Sequence, residues 1–134
     1  MPYKTQIAAL TVSRLHLPLK SPFGISSGAL PAASNLLVRV DLHGGVTGYG
    51  EAAPFPAFNG ETPEGVTAAL MAVREHVVGA NVRHWRKFAL DLGAVLSSGA
   101  ARCALETAIL DAFTRYQKTS IWRYLGGHRR QLRT

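Results

Sequence analysis

The sequence predicts an α+β domain in which three antiparallel strands come first and a bundle of three to four helices follows. Three observations carry this. Before Ala53 the apolar residues alternate with the period of a strand, as in Leu36, Val38, Val40 and Leu42. After Thr62-Pro63 they recur at helical spacing, as in Val66, Ala69, Leu70, Val73 and Val77. The period changes only once along the chain, so strands and helices are segregated.

Gln6 to Leu19 reads as the first strand. Leu10 and Val12 share one parity, whereas Leu15, Leu17 and Leu19 take the other, and a bulge near Ser13 and Arg14 would reconcile them. Pro18 sets the strand's end at a sheet edge. Lys20 to Ala33, KSPFGISSGALPAA, is rich in proline, glycine and small residues and reads as a long loop. Leu36 to Leu42 is the second strand. Gly44-Gly45 is a two-residue hairpin signal into the third, which opens at Val46. Such a turn places Tyr49 opposite Val40 and Glu51 opposite Val38. Glu51 then sits on the apolar face, where a carboxylate needs either a partner, with Arg14 the candidate, or solvent at the end of the sheet.

The chain turns on VTGYGEAAPFPAFNGET, from Val46 to Thr62. Gly48 and Gly50 suit a strand that another backbone approaches closely on one side. Pro54 and Pro56 then force the chain out of the sheet into a loop bearing Phe55 and Phe58, either displayed for recognition or folded back onto the core. Thr62 caps a helix whose first turn Pro63 presets, and Gly79 ends it. A second helix carries Trp85, Phe88, Ala89, Leu92 and Leu96 on one stripe, Trp85 being assigned to the core. Ser97-Ser98 caps a third, AARCALETAILDAFTRYQ, apolar around most of its circumference and so expected to be packed on two sides with Cys103 as a buried, inert thiol. Ser120 caps a last short turn, IWRYL, ended by Gly126-Gly127.

At 134 residues and 47% hydrophobic composition the chain fits one domain able to bury about two thirds of its unfolded surface. No apolar run approaches the ~20 residues of a membrane span. The N-terminus lacks the apolar stretch of a secretory signal and the single cysteine excludes a disulfide framework, which sets the expectation of a cytoplasmic protein. The 15 Lys+Arg against 8 Asp+Glu give a net charge of +7. Those cations are not interleaved with a stacking platform of aromatics and no nucleic-acid motif is present, so a nucleic-acid partner is not expected. The missing acidic balance is assigned to something this domain packs against.

Motifs that carry chemistry are absent. There is no His-x-x-x-His, Cys-x-x-Cys, Gly-x-Ser-x-Gly, P-loop or Gly-x-Gly-x-x-Gly. The histidines share no helical face, and Asp41 with His43 makes a poor metal site. Glu106 and Asp111 lie too far round one helix to act as a carboxylate pair and are expected to bond helix ends or an arginine. On its own residues the chain has no catalytic group and no metal ligands, and a stand-alone binding module is one open reading.

Four segments together resemble a known family: the first strand running into LPLKSPFGISSG, the strand NLLVRVDLHGG, GYGEAAPFP with NGETP after it, and ALETAILDAFTRYQKTSIWRYLGG. They are similar to the N-terminal capping domain of the enolase superfamily, in its mandelate racemase and muconate-lactonizing group and within that the dipeptide-epimerase branch. The likeness runs from Ile7 to Leu132. It implies an enolase N-terminal-domain-like fold over residues 1–128, with residues 129–134 starting a connection to a (β/α)-barrel domain absent from this chain. In that family the barrel supplies two lysines as acid and base and three carboxylates for Mg²⁺, which stabilises the enediolate formed when a proton next to a carboxyl group is removed. None of those groups would lie in this chain. The chain alone is therefore expected to be inactive and its parent to be a homo-oligomeric isomerase acting on a dipeptide or other small carboxylate, with a muconate cycloisomerase or an o-succinylbenzoate synthase as alternatives. The family's cap contributes two specificity loops, which correspond to Ser21–Gly28 and Ala53–Gly60. The resemblance thus assigns Phe23, Ile25, Ser26, Gly28, Phe55 and Phe58 to the substrate. Relatives acting on dipeptides with an acidic second residue place an arginine about where Gly28 stands, so Gly28 implies an apolar or small one.

Overall fold

Alternating apolar residues become β1 (Ile7–Ile25), β2 (Gly28–Leu42) and β3 (Thr47–Ala52), an antiparallel sheet in the order β1-β2-β3. The computed structural model describes residues 1–25 and 28–128, residues 25 and 29–31 by backbone alone. After the sheet come α1 (Pro56–Asn59), α2 (Pro63–Ala72), α3 (Arg74–Val77), a 3₁₀ turn (Val82–His84), α4 (Trp85–Val95), α5 (Gly99–Tyr116) and α6 (Ile121–Tyr124). The α+β order read from the sequence stands, and the expected caps are in place: Thr62 Oγ1 accepts from Gly65 N, Ser98 Oγ from Ala101 N and Ser120 Oγ from Arg123 N.

Three local expectations change. The turn at the glycines is one residue longer than a two-residue hairpin: Leu42 N bonds Val46 O, and Gly45 takes a left-handed φ of 78°. An odd loop reverses the parity of the following strand, so Glu51 pairs with Leu37 and faces outward, bonded to Asn35 Nδ2, while Arg14 pairs with Glu64. No bulge occurs at Ser13 and Arg14. The register shifts fall between Ile7 and Ala9 and between Pro18 and Phe23, which leaves Leu15 half-buried and Leu17 and Leu19 exposed on the outer face. Lys20 to Ala33 is not a loop but the end of a long two-stranded ribbon, with Phe23 opposite Leu30 and Ile25 opposite Gly28. Pro22 and Pro31 sit inside the register break, where a missing amide costs no ladder bond, and pairing resumes beyond them.

The inner face of the sheet buries Leu10, Leu36, Val38 and Val40, the helices answer with Val66, Leu70, Val77, Leu92, Leu105 and Ile109, and these form one core. Helix α5 lies directly on β3. A Cβ added to Gly50 would stand 1.9 Å from Ala104 O, and one added to Gly48 would stand 2.2 Å from Ala108 O. Ala101, Ala104, Ala108 and Ala112 form the matching stripe on the helix, each fully buried. This explains why α5 is so apolar and corrects the expectation for Cys103, which is exposed. The alanines are there for close approach to one sheet, and the helix keeps an outward stripe of Arg102, Cys103 and Thr107. Trp85 packs against the core as expected, its Nε1 donating to Tyr124 Oη at 3.2 Å, and Tyr124 meets Phe113 edge-on at 5.4 Å, which ties α6 to the bundle.

Because backbone atoms cannot yield as a side-chain tip can, Gly50→Ala is expected to cost about 3 kcal/mol or more of unfolding free energy. Gly99→Ala, where an added Cβ meets nothing within 4 Å, is expected to stay within about 0.5 kcal/mol. Urea unfolding of both variants measures the difference.

Candidate functional site

The two segments singled out in the sequence meet in space. The chain leaves β3 at buried Ala52 and Pro54, makes the single turn α1 with Pro56 at its start, and closes it with Gly60 at a left-handed φ of 76°. From the other side comes the tip of the β1–β2 ribbon. Phe23 and Phe55 place their ring centroids 6.2 Å apart, and a Cβ added to Gly28 would lie 3.3 Å from Ala57 Cβ. Ring against ring and backbone against small side chain, the two loops brace each other.

Between them is a pocket of about 270 Å³ lined by Leu19, Phe23, Ala32, Ala33, Ser34, Asn35, Ala53, Pro54 and Phe55. Among the described residues no ionisable side chain lines it. Its polar lining is Ser34 and Asn35, and the Asn35 amide is engaged with Glu51. The alternative left open for the two rings resolves differently for each: Phe55 is half-buried in the pocket wall, while Phe58 is 77% exposed beside it. Phe23 is 58% exposed and Leu17 44%, so an uncovered apolar surface runs from the ribbon to the loop. Of the residues assigned from sequence, Phe23, Gly28, Phe55 and Phe58 come together here. The Ile25 side chain and Ser26 lie outside the described residues, as do residues 129–134. Leu19 and Asn35 were missed; the out-of-phase leucines were their signal, since a leucine on the wrong parity of a strand faces something other than the core.

The loop's far end is held electrostatically. Glu61 Oε1 accepts Ser98 Oγ at 2.6 Å, its Oε2 accepts Asn59 Nδ2 at 2.8 Å, and both oxygens stand 3.3 Å from Ala100 N in the first turn of α5. The Ser98 hydroxyl above all, with the Asn59 amide and the α5 backbone, holds the Glu61 carboxyl below the usual carboxylate range against the opposing effect of burial. On the outer face of the sheet, burial raises the Asp41 carboxyl, but hydrogen bonds from Thr47 and Arg39 outweigh it and leave the group lowered. Glu106 and Asp111 each bond an arginine, Arg102 and Arg115, one of the two kinds of partner expected for them. Among the described residues no three His, Cys, Asp or Glu side chains are grouped so as to hold a metal ion, and no helix is long and apolar enough to cross a membrane.

Residues 7–126 match the model of the mandelate racemase / muconate lactonizing enzyme N-terminal domain. The chain belongs to that family. The aromatic dipeptide epimerase of Herpetosiphon aurantiacus is 47% identical over 131 residues, which is 97% of this chain and 37% of that protein. The crystal structure of a mandelate racemase/muconate lactonizing enzyme from Roseiflexus sp. superposes with a TM-score of 0.86 at 50% identity, covering 100% of this chain and 35% of that one. A dipeptide epimerase from Methylococcus capsulatus, solved with Mg and the dipeptide L-Arg-D-Lys, superposes at 0.76 with 30% identity, over 84% of this chain and 32% of that one. This chain therefore spans about a third of the length of the relatives it matches, and the described residues correspond to the N-terminal domain of the family.

Of the three lowered carboxyls, Glu64 is exposed beside Arg14 and adds little, so Glu61 and Asp41 shape the acid side of the stability profile. Glu61 and Asp41 each bind their proton more weakly folded than unfolded, so both favour the native state at neutral pH, and that contribution is lost as pH falls from the unfolded value through the lower folded one. The urea midpoint is expected to fall as pH drops below about 5, and Glu61→Gln is expected to flatten that fall. Equilibrium unfolding across the range measures it.

Proposed function

We propose that this chain is the substrate-selecting cap of an Mg²⁺-dependent dipeptide epimerase, and that it selects dipeptides carrying an apolar or aromatic side chain. The observation that carries the reading is the pocket between Phe23 and Phe55: about 270 Å³, largely apolar, and without an ionisable lining residue among those described. A benzyl or branched aliphatic side chain gains there by leaving water, with ring-on-ring contact against Phe23 and Phe55. A carboxylate side chain would be desolvated without a cationic partner, which costs several kcal/mol. The 47% identity to an aromatic dipeptide epimerase agrees with this. Phe58 and the apolar ribbon tip would close over the active site and exclude water, which strengthens every electrostatic interaction within it.

In this reading the proton-transfer groups and the metal-binding carboxylates belong to a following (β/α)-barrel, as the resemblance implies. The Mg²⁺ would stabilise the enediolate formed by loss of the α-proton. This chain's own residues bind and orient the substrate side chain and keep water out. The intact enzyme would be a cytoplasmic protein that assembles from identical subunits.

The test is the ratio of kcat/KM for Ala-Phe and Ala-Glu in the intact enzyme, followed by α-proton exchange in D₂O. The expected preference is about tenfold or more for Ala-Phe. Gly28→Arg, on the ribbon tip against Ala57, is expected to lower that ratio by offering a bidentate partner to the glutamate. A parent that prefers Ala-Glu, or a ratio that Gly28→Arg leaves untouched, overturns the assignment of selectivity to this pocket.

A further inference from the structure

Phe55 and Phe58 stand on a short segment that meets the ribbon tip on one side and Glu61 on the other. Helix α1 is one turn, closed by Phe58 N and Asn59 N on Phe55 O and by Gly60 N on Pro56 O, and none of its residues is buried. Its near end is continuous with β3. Its far end is Glu61, which is not part of the pocket lining. The Glu61 carboxylate joins two elements at once: Asn59, the last residue of α1, through Nδ2 at 2.8 Å, and the start of α5 through Ser98 Oγ at 2.6 Å and Ala100 N at 3.3 Å. The Glu61 amide returns a bond to Asn59 Oδ1 at 3.1 Å, so residues 59 and 61 are locked as a pair. Helix α5 does not need Glu61 as its cap, because Ser98 Oγ already accepts Ala101 N at 3.1 Å. What the carboxylate adds is a rigid strut from α5 to the Phe55 turn.

We infer that Glu61 is a positioning residue for substrate selectivity, setting the Phe55 and Phe58 turn at a fixed distance from the ribbon tip by clamping it to the N-terminus of α5. The inference rests on the reading of that turn as a specificity loop. It places a determinant of selectivity outside the pocket, on a residue that touches no substrate. Glu61→Gln keeps the shape, the Ser98 contact and one acceptor for Ala100 N but puts an NH₂ donor where Oε2 accepts from Asn59 Nδ2; Glu61→Ala loses every side-chain bond. Both leave the core between α5 and β3 intact.

Two measurements on the intact protein decide it. In hydrogen exchange, the amides of Phe58, Asn59 and Gly60 are expected to lose protection by about tenfold in Glu61→Gln and by more in Glu61→Ala, with Ala104 to Ala112 unchanged. Unchanged exchange at residues 58–60, or an equal loss throughout α5, overturns the strut. In kinetics, kcat/KM for Ala-Phe is expected to fall about tenfold through KM in Glu61→Ala while kcat/KM for Ala-Ala stays within about twofold, because only the larger side chain reaches the pocket wall. An equal loss for both dipeptides overturns the selectivity role. A parent enzyme that epimerises no dipeptide would sink the proposed function instead, and the exchange data would still decide whether Glu61 holds the turn.

Discussion

The structure depends on one contact, the bare backbone of β3 lying against the alanine stripe of α5. Gly48 and Gly50 leave no atoms above the pleat, and Ala104, Ala108 and Ala112 leave almost none on the helix, so carbonyl and strand come within reach of a single carbon. Dispersion is steep at such distances, and the pair is set in register because only these strand positions lack a Cβ. Everything that frames the candidate site hangs from this pair. β3 delivers the chain to Pro54 and Phe55, and the N-terminus of α5 receives Glu61 from the other end of the same loop.

Edge strands are a hazard that this fold manages with specific bonds. β3 has a free edge, and there Tyr49 N donates to Asp111 Oδ2 at 2.9 Å while Arg115 holds the same carboxylate at 2.8 Å and lies 5.7 Å over the Tyr49 ring. The opposite edge, β1, runs on into the ribbon instead. Its outer leucines, out of phase with the core, become surface, and with Phe23 and Phe58 they form the apolar face of the domain.

The class and order of elements were legible in the sequence because the hydrophobic period changes once and α2, α5 and α6 each open on a side-chain cap. The close approach at Gly48 and Gly50 was legible too, since alternating glycines in a strand have few other uses. Parity was not. A three-residue turn and a two-residue turn share the same Gly-Gly signal, yet they send Glu51 to opposite faces. The ribbon was hidden by its prolines and glycines, which read as loop even though pairing resumes past them. Cys103 was misplaced because an alanine-rich helix looks central whether its small residues serve two packed faces or one very close one. Of the site, the rings were legible as residues but not as partners. The bond between Glu61 and Ser98 joins positions that no local pattern connects.

Whether the pocket between Phe23 and Phe55 receives the substrate side chain is decided by a crystal structure of the intact enzyme with Mg²⁺ and an aromatic dipeptide. The aromatic ring is expected in van der Waals contact with both Phe23 and Phe55, with Ala53 and Leu19 beside it. A ring lodged entirely among residues beyond this domain, with the pocket between the two loops left to solvent, would contradict it.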